Sequence, residues 1–374
     1  MKGLLIILSL VLHVASGERI NDALDSARAV FAARQERTTI YIAPGTYQEE
    51  LTIDIPGLKL INKSRKKQVK ITWYYGHGYQ YKSMGDVPNY GGRRTRRWNA
   101  SVLVTAPDFY AENIIFENSF NLYVSEKEAQ DSLVDISQSD MPWTEKERPK
   151  KVMPVRPKEV GSTEVSKRAY RERAAAISFT ETATHAHLKN CTAIGKQDVL
   201  YGDQGASIYW EGGVLSGAVD FIFGAMTLCV NRATIIANIT DEKGDKCYIA
   251  AGRSGSDGKG ERLTANGERG MLFWHCHIQS PVPGQVWLAR PWRAWGETVW
   301  AYTTWDEGVL NPKVWSTGLI QKREDFNPEN PCPNSYEYKS QDHSLNRPAW
   351  VTILSKPILP DGTKISPKNW NGYK

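Results

Sequence analysis

The sequence predicts an all-β protein whose short strands repeat along a solenoid. Short β-branched and aromatic runs recur between Gly, Asn and Asp turns from residue 38 to about residue 320. Several of these runs also align with one another at a spacing of about 20 residues. A β-sandwich would contain many short strands too, but it would not space similar residues equally. In a solenoid each coil covers its neighbour, so the stack buries a continuous core.

The first 17 of the 374 residues have the features of a secretory signal peptide. Lys2 is followed by aliphatic residues through Val14, and small residues then precede Glu18. A buried N-terminal helix is the alternative interpretation. No later stretch approaches the roughly 20 apolar residues that a membrane span needs. We therefore expect a secreted, extracellular protein with a signal peptide at 1–17, a single domain at 18–374 and no membrane partner.

One short amphipathic helix is predicted immediately after this leader, over residues 19–34. Its apolar residues have helical spacing: Ile20, Leu24, Ala27 and Phe31. The segment 38–53 then predicts a strand, a turn at Pro44-Gly45 and a second strand. The change from helical to alternating periodicity marks the start of the solenoid.

The repeat is clearest in the stretches 190–198, 212–220 and 232–240. Each runs from a polar or small turn residue through an aliphatic strand, and their starts lie 22 and then 20 residues apart. The segment 275–280 resembles a further copy after an insertion, and 101–119 resembles an earlier, looser pair. Successive coils are expected to stack at sheet spacing, roughly 4.8 Å.

Two polar segments interrupt the repeat. Residues 140–173 are rich in proline and charge, and residues 252–270 are rich in glycine. We expect both to be loops that project from the stack and form the rim of a cleft. From about residue 325 the periodicity is lost, which predicts a tail that wraps the last coils.

Charge and cysteine content restrict the function only loosely. The net charge of +6 and the pI near 8.9 suit an anionic polymer as partner. The basic runs 63–67 and 93–97 could contact polyuronide or nucleic acid, but solvated loops explain such short runs equally. Five cysteines leave at least one unpaired in a monomer, and the sequence does not give their connectivity.

The aligned coils bring Asp198 and Asp220 to the same position on successive turns of the solenoid. Two carboxylates this close cannot both ionise freely, so one becomes an acid and the other a nucleophile or base. Two turn aspartates bonded to backbone are the alternative. The apolar neighbours Val219, Phe221 and Phe223 argue against it, because a turn aspartate avoids such desolvation.

Three further residues complete the predicted constellation. Gln197 places a neutral amide donor beside the acid, where it could stabilise an oxyanion. Arg290 offers a guanidinium that could pair with a carboxylate and keep it ionised. Trp292 lies two residues further on, on the same predicted strand face.

These motifs together resemble the pectin methylesterases, a family of secreted carbohydrate esterases. The matching central segments are KQDVLYGDQG at 196–205, GAVDFIFG at 217–224 and LARPW at 288–292. Outside them, 44–51 and 113–119 are similar to the N-terminal coils of the family, and 326–340 to its C-terminal end. The resemblance implies a right-handed parallel β-helix with a short N-terminal helix and long surface loops.

The resemblance also implies a role for each site residue. Asp220 would attack the carbonyl carbon of a galacturonate methyl ester, Gln197 would steady the oxyanion, and Asp198 would act as general acid and then as base. Arg290 would keep Asp220 ionised. Residues lining the groove against the sugar rings would be Trp292, Phe223 and Val219. The implied substrate is methylated pectin, bound by a monomer without a metal or other cofactor.

The chain departs from the family pattern at the position of a second oxyanion donor. Arg173 stands where the family usually has a glutamine, so this substrate-binding residue adds a cation beside the two aspartates. Ala289 also replaces a usual glycine, and Ala225-Met226 replaces a small or polar pair. A catalytically impaired β-helix that binds pectin or another acidic polysaccharide is therefore the alternative function.

Other chemistries fit the sequence less well. The pairs His185/His187 and His275/His277 have a spacing of two, which would place two ligands of a metal on one strand face, but no third ligand matches them. The sequence has no G-x-S-x-G elbow and no glycine-rich phosphate loop. A β-helix lyase would need a calcium cluster, and a glycosidase would need carboxylates flanking a glycosidic bond. The amide of Gln197 favours ester hydrolysis over both.

Overall fold

The computed structural model describes residues 9–64, 66–77, 79–85, 100–135, 156–168, 171–253, 268–318, 327–341 and 345–372. Within these ranges the chain winds into a right-handed parallel β-helix, as the sequence predicts. No helix in this part of the chain is long and apolar enough to cross a membrane.

Short strands separated by tight corners make up most of the described chain. In order they are β1 (Ser9–Val14), β2 (Arg37–Ile42), β3 (Gly45–Gln48), β4 (Leu51–Ile53), β5 (Lys59–Ile61), β6 (Val69–Trp73), β7 (Gln80–Tyr81), β8 (Val102–Val104), β9 (Tyr110–Glu112), β10 (Ile114–Asn118), β11 (Leu133–Asp135), β12 (Ile177–Phe179), β13 (Ala186–Lys189), β14 (Thr192–Ile194), β15 (Leu200–Gly202), β16 (Ser207–Glu211), β17 (Val214–Gly217), β18 (Val219–Gly224), β19 (Thr227–Asn231), β20 (Thr234–Ala237), β21 (Cys247–Gly252), β22 (Met271–Trp274), β23 (His277–Gln279), β24 (Val286–Ala289), β25 (Thr298–Ala301), β26 (Thr304–Trp305), β27 (Ser335–Tyr338) and β28 (Thr352–Ile353).

The helices of the described chain are short and lie outside the coils. They are α1 (Ile20–Arg34), α2 (Glu126–Gln130), α3 (Pro367–Asn371) and the 3-10 turns Lys82–Met84, Ser119–Asn121 and Glu164–Ser166. Helix α1 confirms the predicted N-terminal helix: its residues Ile20, Leu24 and Ala27 are buried at the predicted helical spacing.

Three parallel sheets form the walls of the β-helix. Sheet A has the strand order β1-β2-β5-β9-β13-β16-β19-β22-β25-β27-β28, sheet B β3-β6-β10-β14-β17-β20-β23-β26, and sheet C β4-β8-β12-β15-β18-β21-β24. Each coil therefore passes from A to B to C before it returns to A. The apolar side chains of all three sheets meet in one long core, as expected of stacked coils that cover each other.

The strand register confirms the coil alignment that the sequence predicts. Thr192 pairs with Val214, and Val214 pairs with Thr234, which reproduces the offsets of 22 and 20 residues. His277 pairs with Thr234, so the segment 275–280 is indeed a further copy. In sheet C, Leu200 pairs with Ile222, which keeps the same offset of 22 where the two aspartates lie.

The corner between sheet A and sheet B repeats a left-handed residue on coil after coil. The φ angles are 59° at Asn113, 50° at Asn190, 56° at Arg232, 51° at His275 and 55° at Tyr302. A left-handed conformation costs a residue with a side chain roughly 1–2 kcal/mol. The chain accepts this cost because the sharp corner lets the next strand continue the parallel ladder.

Strand β1 lies inside the predicted signal peptide. Its residues Ser9 to Val14 pair in parallel with Arg37 to Ile42 of β2, and Val14 is buried. The apolar run that predicts a leader thus also forms the first strand of sheet A in the full chain. Removal of residues 1–17 would leave β2 as the edge of this sheet.

The C-terminal part is more regular than the sequence predicts. Instead of an aperiodic tail after about residue 325, β27 and β28 add two strands to sheet A. Helix α3 then returns along the outer face of this sheet, where Trp370 donates a hydrogen bond to the carbonyl of Gly270 (3.0 Å) and Asn371 donates one to that of Ile208 (2.7 Å). The tail does wrap the coils, as expected, but it extends the sheet before it does so.

The cysteines and the basic runs have structural surroundings of their own. All five cysteines are buried free thiols: Cys191, Cys229, Cys247, Cys276 and Cys332. Of the run 63–67, Lys63 lies over the ring of Tyr41 at 3.6 Å. The run 93–97 and most of the predicted rim segments 140–173 and 252–270 lie outside the described residues.

Candidate active site

The two predicted aspartates lie side by side on sheet C. Asp198 directly precedes the coil segment of β15, and Asp220 is the second residue of β18. Both have left-handed backbones, with φ of 53° and 48°, a region that Asp tolerates better than most residues. Each is only 3% exposed. The amide of Asp198 donates to the carbonyl of Val219 (3.3 Å), which ties the two corners together.

Asp220 is paired with Arg290, as predicted. Nε of Arg290 lies 2.5 Å from Oδ1, and Nη2 lies 2.6 Å from Oδ2, so the pair is bidentate. The guanidinium also lies 4.1 Å from the ring centroid of Tyr248. On its other side Gly318 is so close that a Cβ there would lie 2.9 Å from Cδ of Arg290. The arginine is therefore held in place on several sides.

Asp198 has the opposite electrostatic environment. Burial raises its pKa well above the usual aspartate value, and the neighbouring charge of Asp220 raises it further. The cations of Arg173 and Arg290 act in the other direction without cancelling the effect of burial. The site thus combines a carboxylate paired with a cation and a carboxyl group that favours its protonated form, which is the predicted asymmetry.

Half-buried side chains stand beside this pair. The backbones of Arg173, Gln197 and Val219 are bridged in parallel on three successive coils, and all three side chains are partly accessible. Gln197 is thus adjacent to the acid, where an amide donor was predicted. Arg173 is near enough to Asp198 to influence its pKa.

Aromatic rings line the surface next to the aspartates. Phe223 stacks on Tyr201 with 5.6 Å between ring centroids, and its edge meets Trp292 at 5.5 Å. Small side chains from neighbouring strands pack below these rings: Ala100, Ala175 and Ala251. The arrangement presents apolar faces beside the carboxylates, as a sugar-binding groove requires. Trp292 and Arg290 follow the end of β24 and are not on the strand itself, which corrects their predicted position.

Sequence reasoning missed three residues of this site: Tyr201, Tyr248 and Gly318. Tyr248 is the register partner of Val219 on the next coil, so extending the coil alignment to β21 would have found it. Tyr201 pairs with Phe223 in the same way. Gly318 carries no signal in the sequence, because its role depends on a close approach to Arg290.

The histidine pairs do not form the arrangement considered from their spacing. His185 and His275 occupy left-handed corners (φ 55° and 51°) and not strand positions. His187 bonds to Glu211 at 2.9 Å, and His277 bonds to Asp306 at 2.9 Å. Across the described ranges no three His, Cys, Asp or Glu side chains are grouped as metal ligands.

Comparison with known proteins connects this geometry to one family. Residues 162–326 match the family model described as Pectinesterase. A probable pectinesterase/pectinesterase inhibitor of Arabidopsis thaliana is 25% identical over 82% of this chain, and the alignment spans 42% of that relative's own length. A probable pectinesterase A of Aspergillus niger is 24% identical, over 95% of this chain and 84% of the relative.

Solved structures share the fold at lower sequence identity. A pectin methylesterase in complex with a hexasaccharide superposes with a TM-score of 0.63 and 21% identity, covering 92% of each chain. The pectin methylesterase of Erwinia chrysanthemi gives 0.62 and 20%, also over 92% of each chain. The carrot enzyme gives 0.62 and 16%, over 97% of this chain and 92% of that one. These likenesses establish the β-helix fold.

Proposed function

Because this chain belongs to the pectinesterase family, we propose that it hydrolyses methyl esters of galacturonate units in pectin, releasing methanol and leaving acidic pectin. The observation that carries the proposal is the asymmetric pair of carboxyl groups. Asp220 is held by Arg290 through two hydrogen bonds, while burial favours the protonated form of Asp198 one coil away.

The chemistry assigned to these groups proceeds in two steps. Asp220 attacks the ester carbonyl carbon, and Gln197 donates a hydrogen bond to the oxyanion that forms. As the tetrahedral intermediate collapses, Asp198 gives its proton to the departing methoxide, so methanol leaves and an acyl-enzyme remains. Asp198 is now ionised and takes a proton from water, which attacks the acyl carbon. Collapse of the second intermediate restores the Asp220 carboxylate and frees the galacturonate.

The surrounding residues are assigned to substrate binding. Trp292, Phe223 and Val219 supply apolar contacts for sugar rings next to the carboxyl pair. Arg173 is assigned a place beside the oxyanion, as a donor in addition to Gln197. The reaction as written uses only side chains of this chain, and we propose that it requires no metal or other cofactor.

The direct test is methanol release from highly methylated pectin by the wild type and by Asp220→Asn. We expect release to fall at least a thousandfold in Asp220→Asn, since the amide is a poor nucleophile. Asp306→Asn is the matched control, because it removes a carboxylate on the outside of sheet B whose side chain is 54% exposed. Undiminished release by Asp220→Asn would refute the assignment of the nucleophile.

Arg173 supports a second candidate function, that of a protein that binds acidic polysaccharide without hydrolysing it. Its cation lowers the pKa of Asp198 and thereby opposes the protonated form that the mechanism needs. This candidate predicts that the wild type binds pectin but releases no methanol, and that Arg173→Gln gains release. Methanol release by the wild type would exclude it.

We also propose that the chain is exported as a monomer after cleavage near Gly17. The support is the leader-like composition of residues 1–17. Because cleavage there would remove β1 from the edge of sheet A, the mass of the exported protein is the decisive measurement. A chain beginning near Glu18 supports export by this leader, whereas an exported chain that retains residues 9–14 contradicts it.

A further inference from the structure

Lys196 is a buried lysine beside the carboxyl pair that the proposed chemistry does not use. It directly precedes Gln197 and Asp198 in the sequence, and it is only 3% exposed. Its ammonium donates to two atoms of one residue, the carbonyl oxygen of Asn238 at 2.7 Å and its Oδ1 at 2.8 Å. Such a position is unusual for lysine, which normally keeps its charged end in water.

The contacts of Lys196 and Asn238 enclose the segment that leads into Asp220. The carbonyl of Lys196 accepts hydrogen bonds from the amides of Ala218 (2.7 Å) and Val219 (3.0 Å). From the following coil, the amide of Asn238 donates to the carbonyl of Gly217 at 2.6 Å. Residues 217–219 are therefore bonded on both sides, and the Lys196 side chain joins those two sides.

The same two residues also fix the corner before Asp198. Nδ2 of Asn238 donates to the carbonyl of Gly195 at 3.3 Å. The contact spans two coil offsets, from the coil of Asp198 across the coil of Asp220 to the next one. Any movement of one corner relative to the other would lengthen the bonds between Lys196 and Asn238.

The charge of Lys196 is costly in this place. Burial lowers its pKa to about 8, and the neighbouring Arg171 lowers it further, while Asp245 and Cys247 act in the opposite direction. Asp245 is itself bonded to Arg171 through Nη2 and Oδ2 at 2.7 Å, and it accepts bonds from Thr240. An apolar side chain of similar length would avoid this cost, so the ammonium must supply something that packing alone does not.

We propose that Lys196 and Asn238 form a polar clamp that holds the corners of Asp198 and Asp220 in catalytic register, with Lys196 as a positioning residue. The inference rests on the proposed esterase function. Lys196 touches no reacting atom: it acts through the backbone of residues 217–219 and through the corner that carries Gln197. Loss of the clamp therefore lowers kcat and leaves substrate binding by the aromatic groove nearly unchanged.

The first test compares Lys196→Met with Lys70→Met. Lys70 is also a partly buried lysine near sheet B, where it donates to Glu117 at 3.1 Å and to Tyr123 at 3.3 Å, but it lies on β6, away from the carboxyl pair. We expect Lys196→Met to lower kcat about tenfold with KM changed less than twofold, and Lys70→Met to change neither more than twofold. An unchanged kcat in Lys196→Met, or an equal loss in both variants, would overturn the proposal.

Variants of Asn238 test the clamp from its other end, in case Lys196→Met does not fold. Asn238→Ala removes the Oδ1 acceptor, and we expect it to lower kcat as Lys196→Met does. Asn238→Asp keeps an acceptor for Lys196 and should retain at least half of the wild-type kcat. Equal losses in Asn238→Ala and Asn238→Asp would show that the acceptor is irrelevant and would refute the clamp.

Amide hydrogen exchange separates failure of the clamp from failure of the esterase assignment. The amides of Ala218 and Val219, bonded to the Lys196 carbonyl, should exchange at least tenfold faster in Lys196→Met than in Lys70→Met. This readout needs no substrate. If the wild type released no methanol, the proposed function would fail while exchange still decided the clamp; unchanged exchange at these two amides would refute the clamp itself.

Discussion

The bidentate pair of Arg290 and Asp220 permits a quantitative test of what stabilises the site. The side chains are 18% and 4% exposed, and the two bonds measure 2.5 and 2.6 Å. Removing one partner of such a pair leaves an uncompensated buried charge, which typically costs about 3 to 5 kcal/mol. Arg290→Met keeps most of the side-chain volume while it removes the charge. We therefore expect it to lower the free energy of unfolding by about 4 kcal/mol.

The double variant Arg290→Met/Asp220→Asn should be more stable than Arg290→Met alone. With both charges gone, only a neutral amide is left to find new partners, which costs about 1 to 3 kcal/mol. The coupling energy of the cycle should then be about 2 kcal/mol. Urea unfolding at pH 7, followed by tryptophan fluorescence, measures all four proteins. A cost below about 1 kcal/mol for Arg290→Met, or strictly additive effects, would refute the view that each charge depends on its partner.

Four further outcomes are expected. Methanol release should fall as pH rises through the raised pKa of Asp198, because the acid must be protonated to release methanol; kcat measured from pH 4 to 9 gives this limb. Arg173→Gln should move the limb to higher pH, since the cation of Arg173 lowers that pKa. Trp292→Ala should raise KM about two- to tenfold by removing an aromatic contact worth about 0.5–1.5 kcal/mol, with a smaller effect on kcat. Lys196 titrates near pH 8 in the folded chain and near 10.5 when unfolded, so the unfolded chain binds more protons between these values. The stability of the wild type relative to Lys196→Met should therefore rise from pH 8 to pH 10 in urea titrations.

Each outcome has a clear contrary result. A kcat that stays flat up to pH 9 would remove Asp198 as the general acid. A limb that moves down in Arg173→Gln would reverse the sign of the interaction between the two residues. An unchanged KM in Trp292→Ala would place the sugar rings elsewhere, and a stability difference that falls with pH would mean that Lys196 is not desolvated.

The coils could be predicted because each strand repeats a residue pattern at a fixed offset. Asp198 and Asp220 occupy equivalent corners, and the offset of 22 residues that aligns them is the one that the strand pairs show. Arg290 could be placed beside Asp220 only through the family resemblance, because 70 residues separate them. Periodicity alone does not say how many coils an insertion contains.

The failures have physical reasons too. Tyr248 was missed because residues 238–246, between β20 and β21, interrupt the regular spacing just before it. Periodicity cannot separate β1 from a leader, since a strand of sheet A and the centre of a signal peptide are both short apolar runs. Lys196 gives no sequence signal of burial, because lysine is normally exposed and its partner Asn238 lies on another coil.

The pairing of Asp220 with Arg290 has a consequence for how the chain is made. Synthesis proceeds from the N-terminus, so the coil carrying Asp220 leaves the ribosome well before the segment that follows β24. Until Arg290 arrives, a nascent chain that has stacked its coils through β18 contains a carboxylate without its cation in an apolar setting. The coil of Asp220 is therefore expected to mature late, only after β21 and β24 have docked on it. The order of emergence thus delays chemical competence until most of the solenoid exists, which protects a half-made chain from acting prematurely.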